Sequence, residues 1–166
     1  QQISGRHAKR CMLPRAGPHL LSSSHKKVFK KGERVRNKLC LGASDAQKIV
    51  AACKVEAGNN KWNVSIAVVD DAGFLVHLER LDGAVGQSAG IATLKAQTAA
   101  MARTPTKALE DIVKERPATG AFPGRLAVQG GVPIMVQGEC VGAVGVSGVK
   151  SFEDEQVAKA GLKAIE

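Results

Sequence analysis

The chain has 166 residues and a formal net charge of +9, with one Trp, no Tyr and 3% aromatic residues overall. The charge is uneven: residues 1–41 carry eleven Lys and Arg against Glu33 alone (+10), whereas residues 42–166 carry thirteen against fourteen acids (−1). The body of the chain therefore lacks the basic groove with interleaved aromatics that a single-strand binder uses, so nucleic acid is not expected as a partner. No apolar run nears the roughly 20 residues of a membrane span.

Residues 1–41 have no apolar periodicity. Pro14, Gly17, Pro18, Ser22 to Ser24 and the pairs Lys26-Lys27 and Lys30-Lys31 read as a disordered or processed basic extension. Rich in Arg and Ser and nearly free of acids, it also has the composition of an organelle transit peptide. A cytoplasmic location is expected, or an organellar one if that segment is a leader. The remaining residues, 42–166, suit one domain with its own core. Cys53 and Cys140 are its only cysteines, with no C-x-x-C spacing, which argues against a zinc site or a disulfide framework.

Within 42–166, Ser44-Asp-Ala-Gln47 reads as a capping box, followed by Ala46, Ile49, Val50, Cys53 and Ala57 at helical spacing. Gly58-Asn59-Asn60 stops that helix. Val64 to Val69 is a strand, residues 70–73 a turn, and Phe74 to Leu81 the partner strand. Residues 86–102 form a helix of small residues, so that either the sheet or a neighbouring subunit must approach it closely. Thr104-Pro105 begins another helix, with Pro at its first position, and Leu109, Ile112 and Val113 on its apolar side. Pro117 ends it, a Gly/Pro loop follows to residue 125, and Leu126 to Val128 is a short strand. Residues 128–150 describe a hairpin: Val132, Ile134 and Val136 alternate, Gly138-Glu139 turns the chain, and Val141 to Val146 returns. Gly142, Ala143, Gly145, Ser147 and Gly148 leave the return strand nearly bare. Such a strand marks either tight packing or a flat ligand lying close to the backbone. Ser151-Phe-Glu-Asp154 reads as a second capping box, and the last helix runs through Val157, Leu162 and Ile165.

Two hairpins among helices give an α/β (α+β) domain with a mainly antiparallel sheet flanked by helices. Catalytic motifs are missing. Ser88 has no G-x-S-x-G elbow, and no phosphate-binding glycine loop opens a helix. Glu153, Asp154 and Glu155 sit where acids favour a helix dipole. His77 is either a solvated strand histidine or an imidazole ligand for an iron porphyrin. Arg80, Asp82, Lys95, Arg103 and Arg125 fall near predicted element ends, where the Arg forks match carboxylates.

Five segments fall in order: Arg80-Leu-Asp-Gly-Ala84; Ser88 with Lys95-Ala-Gln-Thr-Ala99; Gly130-Gly-Val-Pro-Ile134; Gly138 to Gly148; and Asp154-Glu155 with Val157-Ala158 and Ala160-Gly-Leu162. Together they resemble the GlcG/HbpS family of haem-binding (haem-degrading-like) proteins, and are similar to the C-terminal domain of PduO-type corrinoid proteins. The resemblance spans about residues 42–166. It implies a profilin-like fold with a five-stranded antiparallel sheet, homo-oligomers from dimer to octamer, and a tetrapyrrole ligand: haem, or alternatively a corrinoid. The family motifs map onto Asp82, Lys95, Gly130, Gly131, Pro133, Gly142, Gly145 and Gly148. Candidate ligand-binding residues are His77, Arg103, Thr104, Phe122, Arg125, Gly130, Gly131 and Gly142. His77 and Thr104 are the candidate axial ligands, with His77 the metal candidate, and Arg103 and Arg125 the propionate partners. A glycine-lined slot beside Phe122-Pro-Gly124 would take the ring. Two other roles are weighed beside this one: a cofactor-free oligomeric accessory module of a glycolate/diol or corrinoid pathway, and an enzyme on a small organic acid using Asp82, Lys95 or Arg125. A binding role is favoured over catalysis.

Overall fold

The computed structural model describes residues 37–165; the basic-extension reading falls almost wholly on residues 1–36, outside them. The element order is α1 (Ala43–Asn59), β1 (Ser65–Asp70), β2 (Leu75–Arg80), α2 (Ser88–Ala102), α3 (Thr106–Glu115), a 3-10 turn (Pro117–Ala121), β3 (Gly131–Val136), β4 (Glu139–Ser147) and α4 (Ser151–Leu162). The strands pair antiparallel in the order β2-β1-β4-β3. The sheet thus has four strands rather than five.

The missing strand is Leu126 to Val128. Its backbone donors are taken up elsewhere: Leu126 N–H donates to Thr98 Oγ1 at 2.8 Å, Val128 N–H to Leu126 O, and Gln129 N–H to Glu110 Oε2 at 2.9 Å. That Gln129 amide, followed by Lys114, holds the Glu110 carboxyl below its ordinary range. A segment whose amides are spent on side chains cannot extend a ladder.

The two faces of the sheet carry different cores. Ile66 and Val68 of β1, with Val144 and Val146 of β4, meet Ala46, Ile49, Val50, Cys53 and Ala57 of α1 and Val157 and Ala158 of α4. The intervening residues Ala67, Val69 and Ala143 meet Ala92, Ala96, Ala99 and Ala100 of α2. This is period 2 in the strands against period 3.6 in the helices, and each fully buried Val or Ile contributes about 1.5–3 kcal/mol. Cys53 is one of these core groups. Its Sγ–H donates to Val157 O at 3.3 Å, and burial pushes its pKa up to about 12, so it is no nucleophile.

Ala92, Ala96, Ala99 and Ala100 of α2 face the sheet. A Cβ on Gly145 would overlap Ala92 O and lie 2.5 Å from Ala96 N, and one on Gly131 would overlap the Lys95 carbonyl. The helix backbone therefore rests directly on the bare strand, and this close approach is what the glycines permit.

Local signals moved by a residue or two. Helix α1 starts at Ala43 with Gly42 as N-cap and no side-chain cap, so the Ser44 capping box does not form. Pro105 is the N-cap of α3 rather than its first residue. At α4 the N-cap is Lys150, whose N–H donates to Glu153 Oε2 at 3.0 Å; lysine has no acceptor to return the bond, so only half of a box exists. The β3–β4 turn is Gln137-Gly138, both at positive φ (51° and 81°), which is a type I′ hairpin turn.

Candidate functional site

The proposed ligand residues do not converge; they fall into four places. His77 lies on β2 opposite Val68, just past a bulge between Val68 and Val69. The bulge inserts one residue, so Val76 and His77 both turn toward α1, while Leu75 and Leu78 are left exposed on the α2 side. The His77 imidazole is 32% exposed, with Nε2 3.9 Å from Glu79 Oε2. Glu79 is also 2.5 Å from Lys54 Nζ. His77, Glu79 and the α1 residues Gln47, Val50, Ala51, Lys54 and Val55 line an open, mainly apolar groove of about 460 Å³.

Phe122 and Arg125 lie at the other edge of the sheet, beyond β3. They form the rim of a half-enclosed cavity of about 200 Å³ against α2 and α3, with the Arg125 guanidinium carbon 5.1 Å from the Phe122 ring centre. Arg103 and Thr104 sit at the α2–α3 corner. Arg103 is left-handed (φ 51°) and its N–H caps Ala100 O; Thr104 Oγ–H donates to Ala102 O at 3.0 Å.

Gly130, Gly131 and Gly142 are buried inside the protein. A Cβ on Gly130 would stand 2.8 Å from Lys95 Nζ, and one on Gly142 would overlap Val69 O. The glycine-lined slot is therefore not formed: helix α2 and neighbouring strands occupy the space. Asp82 is exposed in the turn after β2.

Lys95 is 2% exposed, and so is its partner Asp154 of α4, with Nζ–Oδ2 at 2.8 Å. Lys95 Nζ also donates to Val146 O at 3.1 Å, and Asp154 Oδ1 accepts from Val149 N–H. The lysine thus passes Gly130, at the start of β3, to join the two helical layers. Burial pushes the Asp154 carboxyl up, and the Lys95 ammonium opposes this. The acid run of α4 is consequently more than a dipole feature. Glu155 is buried as well, accepting from Gln129 Nε2 and 2.6 Å from Lys159 Nζ. The sequence carried a signal for Asp154: it lies three, four and seven residues before Val157, Ala158 and Gly161, on the buried stripe.

A family model described as "Haem degrading protein HbpS-like" matches residues 41–163. The chain belongs to this HbpS-like family. Protein GlcG of Escherichia coli K12 is 44% identical over 114 residues, covering 68% of this chain and 85% of that one. An uncharacterized 15.0 kDa protein of the dhaT-dhaS intergenic region of Citrobacter freundii is 32% identical over 124 residues, covering 70% and 86%. In three dimensions the HbpS-like chain superposes on a double mutant of Streptomyces reticuli HbpS with a TM-score of 0.78 at 32% identity, covering 87% of this chain and 99% of that one. It shares its fold with the PduOC:haem complex (TM-score 0.71, 24% identity, covering 77% and 96%). Among the described residues no helix is long and apolar enough to cross a membrane, and no cluster of three or more His, Cys, Asp or Glu is placed to hold a bare metal ion.

Proposed function

We propose that this chain binds a tetrapyrrole, haem in particular, in the groove between α1 and β2, with His77 as the axial ligand. One observation carries the reading: the sole histidine among the described residues opens onto the apolar groove formed by Val50, Ala51 and Val55. Size admits this groove, and a second groove of the same volume, lined by Glu56, Gln129, Phe152 and Glu155, has no histidine among the described residues. Their volume of about 460 Å³ falls within the range of about 300–1,000 Å³ usual for cofactor pockets, and the 200 Å³ cavity at Arg125 falls below it. The donor set fits too, since a neutral imidazole is a common proximal ligand of haem iron. Bound there, haem would supply the redox and ligand-exchange chemistry of its iron.

The protein residues around the groove hold and orient. Ala51 and Val55 give the groove its apolar wall, Glu79 lies 3.9 Å from the imidazole, and Lys54, paired with Glu79, would exchange that partner to meet a carboxylate arm. Arg103, Thr104, Phe122 and Arg125 lie too far round the domain to touch the same ring within one subunit. Those residues take no part in this haem site, and the chain self-associates through another surface. Support for self-association is the exposed apolar set on the α2 side, Phe74, Leu75, Leu78, Val85, Leu94 and Met101. Patches of this kind mark contact surfaces. The family relationship to HbpS and GlcG supports the reading as a whole.

The test is a haemin titration of the full chain, with its oligomeric state followed by light scattering. A saturable Soret shift at micromolar haemin, lost or moved in His77→Ala and retained in Thr104→Ala, is expected. A folded protein with no shift, or a shift indifferent to His77, would reject the site.

A further inference from the structure

The cavity at the far edge of the sheet has a chemistry of its own. Helix α3 is strongly amphipathic, yet its apolar side is not covered by the core: Leu109, Ile112 and Val113 look onto Ala127, Phe122 and the 3-10 turn across about 200 Å³ of space. An apolar cavity of about 150 Å³ stays dry and takes up a benzene-sized molecule, so this one has room for a ring and one small substituent.

The polar atoms in its wall decide what that substituent is. Thr98 Oγ1 is spent, donating to Leu94 O at 2.7 Å and accepting from Leu126 N–H at 2.8 Å. The Thr119 hydroxyl donates to Arg116 O at 2.7 Å. The Arg125 guanidinium differs: it stacks on Phe122 at the rim and makes no ion pair among the described residues. The nearby acid Glu110 is already taken by Lys114 and the Gln129 amide. A cavity with apolar walls and one unspent planar cation selects for one anionic group on an otherwise apolar body, because the guanidinium fork matches a carboxylate.

We infer that this cavity is a binding site for a ring-sized monocarboxylate, separate from the groove at His77. The ring occupies the space between Leu109, Ile112, Val113 and Ala127, and the carboxylate meets Arg125 at the mouth. Polyanionic ligands are disfavoured, because no second cation among the described residues lines the cavity.

The probes are benzoate and phenylacetate, with benzyl alcohol as the uncharged control, titrated into the full chain by calorimetry and by ligand-observed NMR. Saturable binding of a carboxylate is expected, weaker by about tenfold or more for benzyl alcohol and for Arg125→Gln, the usual scale of a lost charge-assisted pair. Ile112→Trp, made at a half-exposed rim position so that the fold survives, should fill the space and abolish binding. His77→Ala should leave carboxylate binding unchanged, and Arg125→Gln should leave the haemin Soret shift unchanged; the two sites thus stand or fall separately. Absence of saturable binding at millimolar carboxylate overturns the inference, and so does equal binding by Arg125→Gln or by Ile112→Trp.

Discussion

Replacing Gly145 by alanine should cost about 3 kcal/mol or more, the upper end of overpacking effects, and lower the melting temperature by about 10 °C. One methyl group is enough because it meets backbone and not a side chain that can swing aside. The added carbon would overlap Ala92 O and lie 2.5 Å from Ala96 N and 2.9 Å from Ala96 Cβ. To make room, all of α2 must rise off β4, which opens the contacts of Ala92, Ala96 and Ala99 with Ala67 and Ala143. Gly90→Ala, on the same helix, is the control. It is exposed, a Cβ there would meet nothing within 4 Å, and alanine outranks glycine in a helix by about 0.5–1 kcal/mol. Thermal denaturation of the two variants should therefore move in opposite directions. If Gly145→Ala melts with the wild type, α2 does not lie on the bare strand, and the vacant face would again be open to a planar ligand.

The same pair of faces shows what sequence reading can reach. The buried stripe of helix α1 was legible, though its start was not: spacing alone marks Ala46, Ile49, Val50, Cys53 and Ala57, which are its buried residues. A helix that buries one continuous stripe against a sheet writes that stripe into its sequence. The bareness of β4 was legible, but its meaning was not. A missing Cβ makes room equally for a ligand and for a helix backbone, and composition alone cannot tell which fills it. The helix that does was visible in the run of alanines at residues 92–100, complementary in size to Gly145 and Gly131.

Other features were hidden for physical reasons. The side of the sheet taken by His77 relative to Leu75 depends on a bulge, in which one extra residue of β2, Val76, opposite the Val68–Val69 step breaks a simple alternation. The strand expected at 126–128 failed because Thr98 claimed the Leu126 amide and Leu126 O that of Val128, while Glu110 held the amide of the following Gln129. The candidate ligand residues were chosen by type and by family motif. The sheet then placed His77 at one edge and Arg125 at the other, a separation fixed by strand order that no local pattern encodes.

Lys95→Met and Asp154→Ala should each destabilise the domain by about 3–5 kcal/mol, the cost of leaving one member of a buried pair without its partner. Lys95 and Asp154 are each 2% exposed, so neither can recruit bulk water in compensation. The double variant Lys95→Met with Asp154→Leu should recover most of the loss, since well-packed apolar replacements of a buried ion pair are often neutral or stabilising. The double-mutant cycle measured by urea denaturation should thus show strong coupling, and additive single effects would mean that the two groups are not paired in solution.

The pH dependence follows from the Asp154 carboxyl, whose pKa burial raises above the ordinary carboxylate range while Lys95 opposes the rise. The folded state therefore keeps this proton to a higher pH than the unfolded chain does. The group's contribution to stability is full below its unfolded value, is lost as pH rises through the folded value, and is constant beyond. Removing the ammonium leaves burial unopposed, so in Lys95→Met the carboxyl rises further and the loss grows. The penalty of Lys95→Met relative to wild type should accordingly be smallest in acid and increase toward neutral pH. This difference cancels the opposite trend from Glu110 and Asp111, whose carboxyls are held low by their hydrogen bonds and lose stability on acidification. A penalty that stays flat, or shrinks, from acid to neutral pH would show that Asp154 ionises in the folded protein without help from Lys95, and the clasp between the two helical layers would have to be assigned to packing alone.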